Sequence, residues 1–155
     1  MDKGDEKFMK IAIEEAQNAQ WPFGAVLVKD GKLIAQAGSG DGNDRDGLID
    51  PTAHAEVNVI RKACKKLKTH NLKDMTMYAS CEPCALCIGA AWYAGIRDIV
   101  YGTTIKEMNK RTVDTWGDID LRFPFECAEW PLHQKIALRG GIFKEEIMSL
   151  YPKKD

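Results

Sequence analysis

The sequence predicts an α/β sandwich built on a mixed β-sheet. Three observations lead to this prediction: helical and extended segments alternate, an Asp-Gly pair separates two apolar runs, and a strand–helix–strand run follows later. The Asp-Gly pair indicates a hairpin and hence antiparallel strands, whereas the strand–helix–strand run indicates parallel strands. A sheet that holds both arrangements is mixed.

The first helix and the hairpin follow from the spacing of apolar residues. A helix is predicted from about Lys7 to Ala19, where apolar residues recur at helical spacing although Glu15 interrupts them. The apolar runs Phe23–Val28 and Leu33–Ala37 flank Asp30-Gly31, which is the strongest short signal for a hairpin. They are therefore predicted as the first two strands.

The middle of the chain is predicted as loop, helix, strand and helix. Gly38–Pro51 is rich in Gly, Ser, Asp and Asn, which is typical of a loop. Thr52 is the expected N-cap of a second helix that ends near Leu67. Met75–Ala79 is predicted as a strand and Cys84–Ala94 as a helix.

The C-terminal third gives weaker signals. Ile99–Gly102 is predicted as a strand. Thr103–Pro131 carries scattered charges and has no clear period, so no element is assigned to it. Leu132–Leu150 is predicted as a helix that is broken at Gly140-Gly141.

Length and composition fit one globular domain, residues 1–155. The chain is 45% hydrophobic and 29% charged, which suffices for a real core. Its formal net charge of −1 gives no electrostatic reason to expect a polyanion, so a nucleic-acid partner is not predicted. No run approaches the ~20 apolar residues of a membrane span, and the first residues lack the apolar core of a signal peptide.

Three of the five cysteines crowd together at Cys81, Cys84 and Cys87. Without an export signal, such a cluster favours a metal site over a disulfide framework. It also predicts a reduced, cytoplasmic setting.

A zinc site is predicted from His54, Cys84 and Cys87. Imidazole and thiolate are preferred zinc ligands, and three protein ligands leave a fourth position for water, as in catalytic sites. Cys84 and Cys87 lie three apart and so share one face of a helix, whose N-terminus favours thiolates. Glu56 is the candidate general base, provided that it and His54 lie in the irregular first turn of their helix.

The alternative is a closed structural site in which Cys81 is the fourth ligand. Cys₃His sites are common structural arrangements. Glu56 argues against this alternative, because a structural site needs no base. The two possibilities remain open on spacing alone.

These motifs resemble those of the cytidine/deoxycytidylate deaminase superfamily, and within it the small bacterial guanine deaminases. The pattern H-x-E…P-C-x-x-C is the signature of zinc nucleobase deaminases. The similarity extends from about Phe8 to Gly102, and the residues that carry it lie in Pro22–Val26, Pro51–Val57, Ile60–Cys64 and Ser80–Cys87. It implies a three-layer α/β/α sandwich with a five-stranded mixed sheet, a homodimer or higher oligomer, and hydrolytic deamination with bound Zn²⁺.

The resemblance also implies substrate contacts. The backbone at Ala55 would touch the substrate, and Phe23 would stack on a base, although core packing explains Phe23 equally well. Ser39 stands where the superfamily has an Asn that binds base or ribose, and Asn43 is a possible substitute. Asp114 lies near the position of an acidic residue that holds guanine. The changed residue at Ser39 leaves open another purine, a pyrimidine or a triazine-like ring.

The sequence is therefore compatible with three functions. The first is a zinc-dependent deaminase of a free, guanine-like base. The second is a tRNA adenosine deaminase on the same fold, which the near-neutral charge disfavours. The third is a structural zinc module without catalysis.

Overall fold

A computed structural model of the chain describes residues 3–43, 49–116 and 135–152, except for the side chains of 114–116. The elements within these residues are, in chain order, α1 Lys3–Asn18, β1 Trp21–Lys29, β2 Lys32–Ser39, α2 Ala55–Leu67, β3 Thr76–Cys81, α3 Ala85–Tyr93, β4 Asp98–Thr103, α4 Ile105–Trp116, β5 Ala137–Gly140 and α5 Lys144–Ser149.

The strands form a single five-stranded mixed sheet in the order β2-β1-β3-β4-β5. β1 is antiparallel to β2 and to β3, whereas β3–β4 and β4–β5 are parallel pairs. The predicted α/β fold and mixed sheet are therefore confirmed. The hairpin is confirmed as well, and both Asp30 (φ 50°) and Gly31 (φ 69°) have the left-handed backbone that a tight two-residue turn requires.

The sheet lies between two layers of helices. Alternate residues of each strand face opposite sides of the sheet, and helices cover the apolar residues on both sides. Leu27, Met77 and Ile99 point to one core, which α2 and α3 complete with Val59 and Ile88. The opposite core holds Val26, Tyr78 and Val100, packed with residues from the remaining helices such as Phe8, Met108 and Ile147. This is the expected three-layer arrangement.

Among the described helices, none combines the length and apolar character that crossing a bilayer requires.

The second helix begins two residues later than predicted, because its N-cap is His54 rather than Thr52. Thr52 does not cap it, because its N–H and hydroxyl both donate to Asp50 Oδ1, at 2.8 and 2.6 Å. His54 is the N-cap, with an extended backbone (φ −67°, ψ 150°), and α2 starts at Ala55. The predicted end at Leu67 is confirmed.

The prediction for the C-terminal segment was wrong in its first half. Ala137–Gly140 is a strand, and it pairs in parallel with β4 from Asp98↔Ala137 to Tyr101↔Gly140. Pairing with a strand far away in sequence here overrides the local helical pattern. The unassigned region after Thr103 begins with α4.

A buried carboxylate ties β5 to α1. Asp5 is almost fully buried on α1 and accepts hydrogen bonds from Tyr78 Oη and Arg139 Nη1, both at 2.9 Å. Arg139 also pairs with Asp98 at 3.1 Å. A buried charge of this kind needs such partners to offset its lost hydration.

Gly24 is where α1 comes closest to the sheet, and its replacement by alanine is expected to destabilise the protein. A Cβ there would lie 2.1 Å from Ala12 O and 2.5 Å from Ala16 N, both of them backbone atoms that no rotamer change can move. We expect the free energy of unfolding to fall by about 2 kcal/mol or more, measured by urea titration. Gly89→Ala is the control, because no atom outside the adjacent residues and backbone of its own helix lies within 4 Å of the added methyl group. A loss in both variants would contradict the packing argument.

Candidate metal centre and active site

Three predicted ligands converge at one end of α2 and α3. His54 Nδ1 lies 3.6 Å from Cys84 Sγ and 3.5 Å from Cys87 Sγ, and the two sulfur atoms are 3.5 Å apart. Within the described residues, these three side chains are the group that can offer ligand atoms to one metal ion.

The helix starts explain this convergence. His54 immediately precedes α2, so its extended backbone turns the imidazole away from the direction that a helical residue would take. Cys84 is the N-cap of α3, also with an extended backbone (φ −73°, ψ 175°), and Cys87 lies in the first turn. Backbone N–H groups at a helix start stabilise negative charge, which suits two thiolates.

The triangle fits zinc. A tetrahedral ion about 2.3 Å from sulfur and about 2.0 Å from nitrogen needs ligand atoms roughly 3.5–3.8 Å apart. The three distances in the structure, 3.5, 3.5 and 3.6 Å, agree with this requirement. Two thiolates and one neutral imidazole also balance the charge of a divalent ion.

The three proposed ligand side chains shift one another's pKa values. Hydrogen bonding with Cys87 and His54 lowers the pKa of the Cys84 thiol to about 4. Contact with the Cys84 thiolate raises the pKa of His54. The hydrogen bond with Cys84, and then burial, raise the pKa of Cys87. Cys84 is thus prepared to bind as a thiolate, which is the form that a metal requires.

Glu56 lies beside the same cluster. It is in the first turn of α2, only 8% exposed, and its carboxyl group interacts with Cys87. Burial, and then the charge on Cys84, raise its pKa to about 7. A carboxyl group with a pKa near neutrality can both accept and donate a proton during turnover. His54 and Glu56 face one site because the helix begins between them.

Cys81 lies outside the ligand group. It is a buried thiol at the end of β3, and burial raises its pKa. It interacts with Tyr151 and with the charge on Glu56. The described residues therefore do not assemble the closed Cys₃His arrangement.

An aromatic pair lies next to this cluster. Phe23 packs on Tyr151 with ring centroids 5.6 Å apart and a tilt of 40°. Tyr151 is only 2% exposed, and it lies close enough to Cys81 and Glu56 to interact with both. Its carbonyl accepts a hydrogen bond from Arg111 Nε on α4 at 2.9 Å. Sequence reasoning missed Tyr151, because no local pattern connects it with Phe23.

The end of β2 is fixed against the histidine segment. Ser39 is the last residue of β2 and is buried, and the next residue, Gly40, donates to the carbonyl of Ala53 at 2.8 Å. Asn58 Nδ2 bridges the carbonyls of Gly38 and Ala53, both at 3.0 Å. Ser39 thus lies beside the residues that lead into His54. Sequence reasoning also missed this role of Asn58, a polar residue on the buried face of α2.

The other residues predicted to contact the substrate are Ala55, Asn43 and Asp114, and they lie in three different parts of the fold. Ala55 is the first residue of α2 and is buried between the histidine and the glutamate. Asn43 is engaged within its loop: its amide donates to Gln20 and its oxygen accepts from the N–H of Asp50. Asp114 lies near the end of α4, and its side chain is outside the described residues.

Comparison with known proteins gives one family and two kinds of relative. A family model described as MafB19-like deaminase matches residues 3–129. Over 101 residues the chain is 46% identical to the guanine deaminase of Bacillus subtilis, and this match covers 62% of each protein. Over 149 residues it is 36% identical to the tRNA-specific adenosine deaminase of Aquifex aeolicus, which covers 92% of this chain and 95% of the relative.

Solved structures show the same division. The Bacillus subtilis guanine deaminase superposes with a TM-score of 0.61 at 32% identity, over 89% of this chain and 83% of that one. A structure from a study of A-to-I editing by tRNA:A34 deaminases superposes with a TM-score of 0.73 at 32% identity. The match covers 93% of this chain and 98% of that one. The guanine deaminase of Nitrosomonas europaea, at 22% identity and a TM-score of 0.73, supports the fold.

Proposed function

Because the chain belongs to the MafB19-like deaminases of the cytidine deaminase-like superfamily, we propose that it removes an amino group hydrolytically from a free nucleobase or related heterocycle. The observation that carries this proposal is a zinc-sized ligand triangle with the buried carboxyl group of Glu56 beside it. A structural zinc site would not need that carboxyl group.

His54, Cys84 and Cys87 would hold the zinc ion, which supplies Lewis-acid activation of a water molecule. Glu56 would accept a proton from that water at its carboxylate oxygen and deliver it to a ring nitrogen of the substrate. The oxygen of the water would bond to the ring carbon that carries the amino group, and a second proton transfer through Glu56 would let that group leave as ammonia when its C–N bond breaks. The backbone N–H of Ala55 lies at the start of α2, where helix N–H groups lack partners within the helix, and it would orient the ring.

A flat aromatic substrate fits the surroundings of Glu56. Tyr151 is buried beside Glu56, and the half-buried ring of Phe23 packs on it, so Phe23 would offer an aromatic surface on which a planar ring can stack. The 46% identity with a guanine deaminase supports a purine-like base. Ser39 and Asp114 are the proposed polar contacts. With Ser39 the pocket carries a hydroxyl group instead of an amide, so we expect its base preference to differ from that of guanine deaminases.

The second candidate is a tRNA adenosine deaminase. It is supported by the greater share of the relative's length that this chain matches. The Aquifex relative matches nearly its whole length, whereas the Bacillus guanine deaminase matches over 62%. The exclusion of nucleic acid from the net charge is therefore not supported. The total charge of a protein does not report the local potential along a binding surface.

The two candidates differ in the substrate that is deaminated. We expect the zinc-loaded protein to release ammonia from at least one free base in a panel of purines, pyrimidines and triazines. We expect no conversion of adenosine to inosine in an anticodon stem–loop RNA under the same conditions. The chelator-treated protein is the blank. The opposite pattern would select the tRNA candidate, and inactivity on both substrate classes with zinc bound would favour the structural module.

We also propose a homodimer that uses one face of α3. Leu86 (42% exposed) and Tyr93 (84% exposed) lie seven residues apart and so share a helical face, and α3 contains no charged residue. Two copies could meet there without charge repulsion. We expect the protein to elute as a dimer in size-exclusion chromatography and Tyr93→Lys to elute as a monomer. Leu33→Lys, on the exposed strand β2, should leave the dimer intact.

The four cysteines of the described residues are free thiols. A site that needs two reduced thiolates suits a reducing compartment, so we propose a cytoplasmic location.

A further inference from the structure

Glu82 lies at the junction between β3 and the turn that carries Cys84. Its N–H donates to Thr103 O at 2.8 Å, which continues the pairing of Cys81 with Thr103 in the parallel β3–β4 ladder. Its carboxylate Oε2 accepts the N–H of Ile105 at 3.0 Å. Glu82 is thus fixed at both its backbone and its side chain, and both contacts lead to the β4–α4 junction.

The bond to Ile105 supplies a partner that α4 otherwise lacks. Thr104 and Glu107 form a capping box: Thr104 Oγ1 accepts the N–H of Glu107 at 3.1 Å, and Glu107 Oε2 faces the N–H of Thr104 at 3.4 Å. This box leaves the N–H of Ile105, the first helical residue, without a partner inside the helix. The Glu82 carboxylate takes that place, where the helix dipole favours a negative charge.

A single residue separates this anchor from the metal ligand. Pro83 is buried, and its ring fixes its own φ, so the chain from Glu82 to Cys84 has little freedom. Cys84 makes no side-chain capping bond of its own at the start of α3. Besides its contacts with His54 and Cys87, the position of the Cys84 sulfur atom depends on how the turn before it is held.

From this geometry we infer that Glu82 is a positioning residue, which holds the Cys84 thiolate in place for zinc by anchoring the ligand turn to the start of α4. The inference rests on the proposed zinc site and goes beyond it, because Glu82 itself touches neither metal nor substrate. Residues that orient metal ligands typically affect metal affinity by about 10–100-fold.

Three variants of the full-length zinc-loaded protein test this role. Glu82→Ala removes the acceptor, and Glu82→Gln keeps a weaker, neutral acceptor of the same shape. Glu107→Gln is the matched control, because it weakens the side-chain half of the capping box and removes the ion pair with Lys144, while Glu82 keeps its bond to Ile105. The readouts are the rate of zinc transfer to a colorimetric chelator and the visible spectrum of the Co²⁺-substituted protein, which reports thiolate coordination.

We expect Glu82→Ala to lose zinc about 10-fold faster or more and to change the Co²⁺ spectrum. Glu82→Gln should lose zinc at a rate between those of Glu82→Ala and the wild type. If the alanine variant does not fold, the rate of zinc loss from Glu82→Gln tests the inference. Glu107→Gln should retain both the wild-type rate and spectrum, even if its melting temperature falls. Equal zinc loss from the Glu82 and Glu107 variants, with unchanged spectra, would overturn the inference. A wild type that binds no zinc would instead overturn the proposed function.

Discussion

Replacing Glu56 by glutamine is expected to lower kcat by roughly 10²–10⁴-fold while the protein keeps its zinc. The amide has nearly the same shape but cannot accept and return a proton. Because burial disfavours the charged form of Glu56, the neutral amide is not expected to destabilise the fold. Ammonia release under saturating substrate measures kcat, and zinc content is measured on the same sample.

Glu14→Gln is the control for this experiment, because Glu14 lies exposed on α1 and outside the ligand group. It should behave as the wild type. Full activity in Glu56→Gln would rule out the proposed proton transfers. Loss of zinc from Glu56→Gln would assign Glu56 to metal retention instead.

The second large effect is expected from the cysteines, whose roles the structure separates. Cys87→Ala removes a ligand atom 3.5 Å from both other ligands, so zinc content should fall from about one per chain to a small fraction. Activity should be lost with the metal. Cys81→Ala removes a buried thiol outside the ligand group, so zinc should remain.

The Cys81 variant is also the test against a closed structural site. Its expected cost is a small cavity, about 1 kcal/mol in the free energy of unfolding. Metal analysis after dialysis against a mild chelator compares the two variants with the wild type. If Cys81→Ala lost zinc as readily as Cys87→Ala, Cys81 would be a fourth ligand and the catalytic assignment would fail.

The elements that could be predicted from sequence are those whose signal is local. The hairpin at Asp30-Gly31 depends on two adjacent residues with left-handed backbones, and α2 ends where predicted. β5 could not be predicted in this way. It is four residues long and mostly exposed, and it becomes a strand only because β4 offers it a partner. Ile99 of β4 pairs with Leu138, 39 positions later in the chain, and local sequence patterns do not contain such a distant pairing.

In the candidate site, too, the residues that lie in local motifs could be predicted and those distant in sequence could not. His54, Glu56, Cys84 and Cys87 lie in two short motifs, so their spacing already predicts the ligand set. The predicted N-cap was nevertheless wrong, since Asp50 engages the hydroxyl that was expected to cap α2. Tyr151 reaches the cluster from the opposite end of the sequence, and only the folded chain brings it there.

The contact between Asp5 and Arg139 spans 134 positions of the chain. During synthesis on a ribosome, α1 emerges well before the guanidinium of Arg139 that pairs with its buried carboxylate. Tyr78 is available earlier, so the first half of the sheet can begin to assemble around α1 before release. Complete burial of Asp5 must await β5, which makes the closing of this edge a late event in folding.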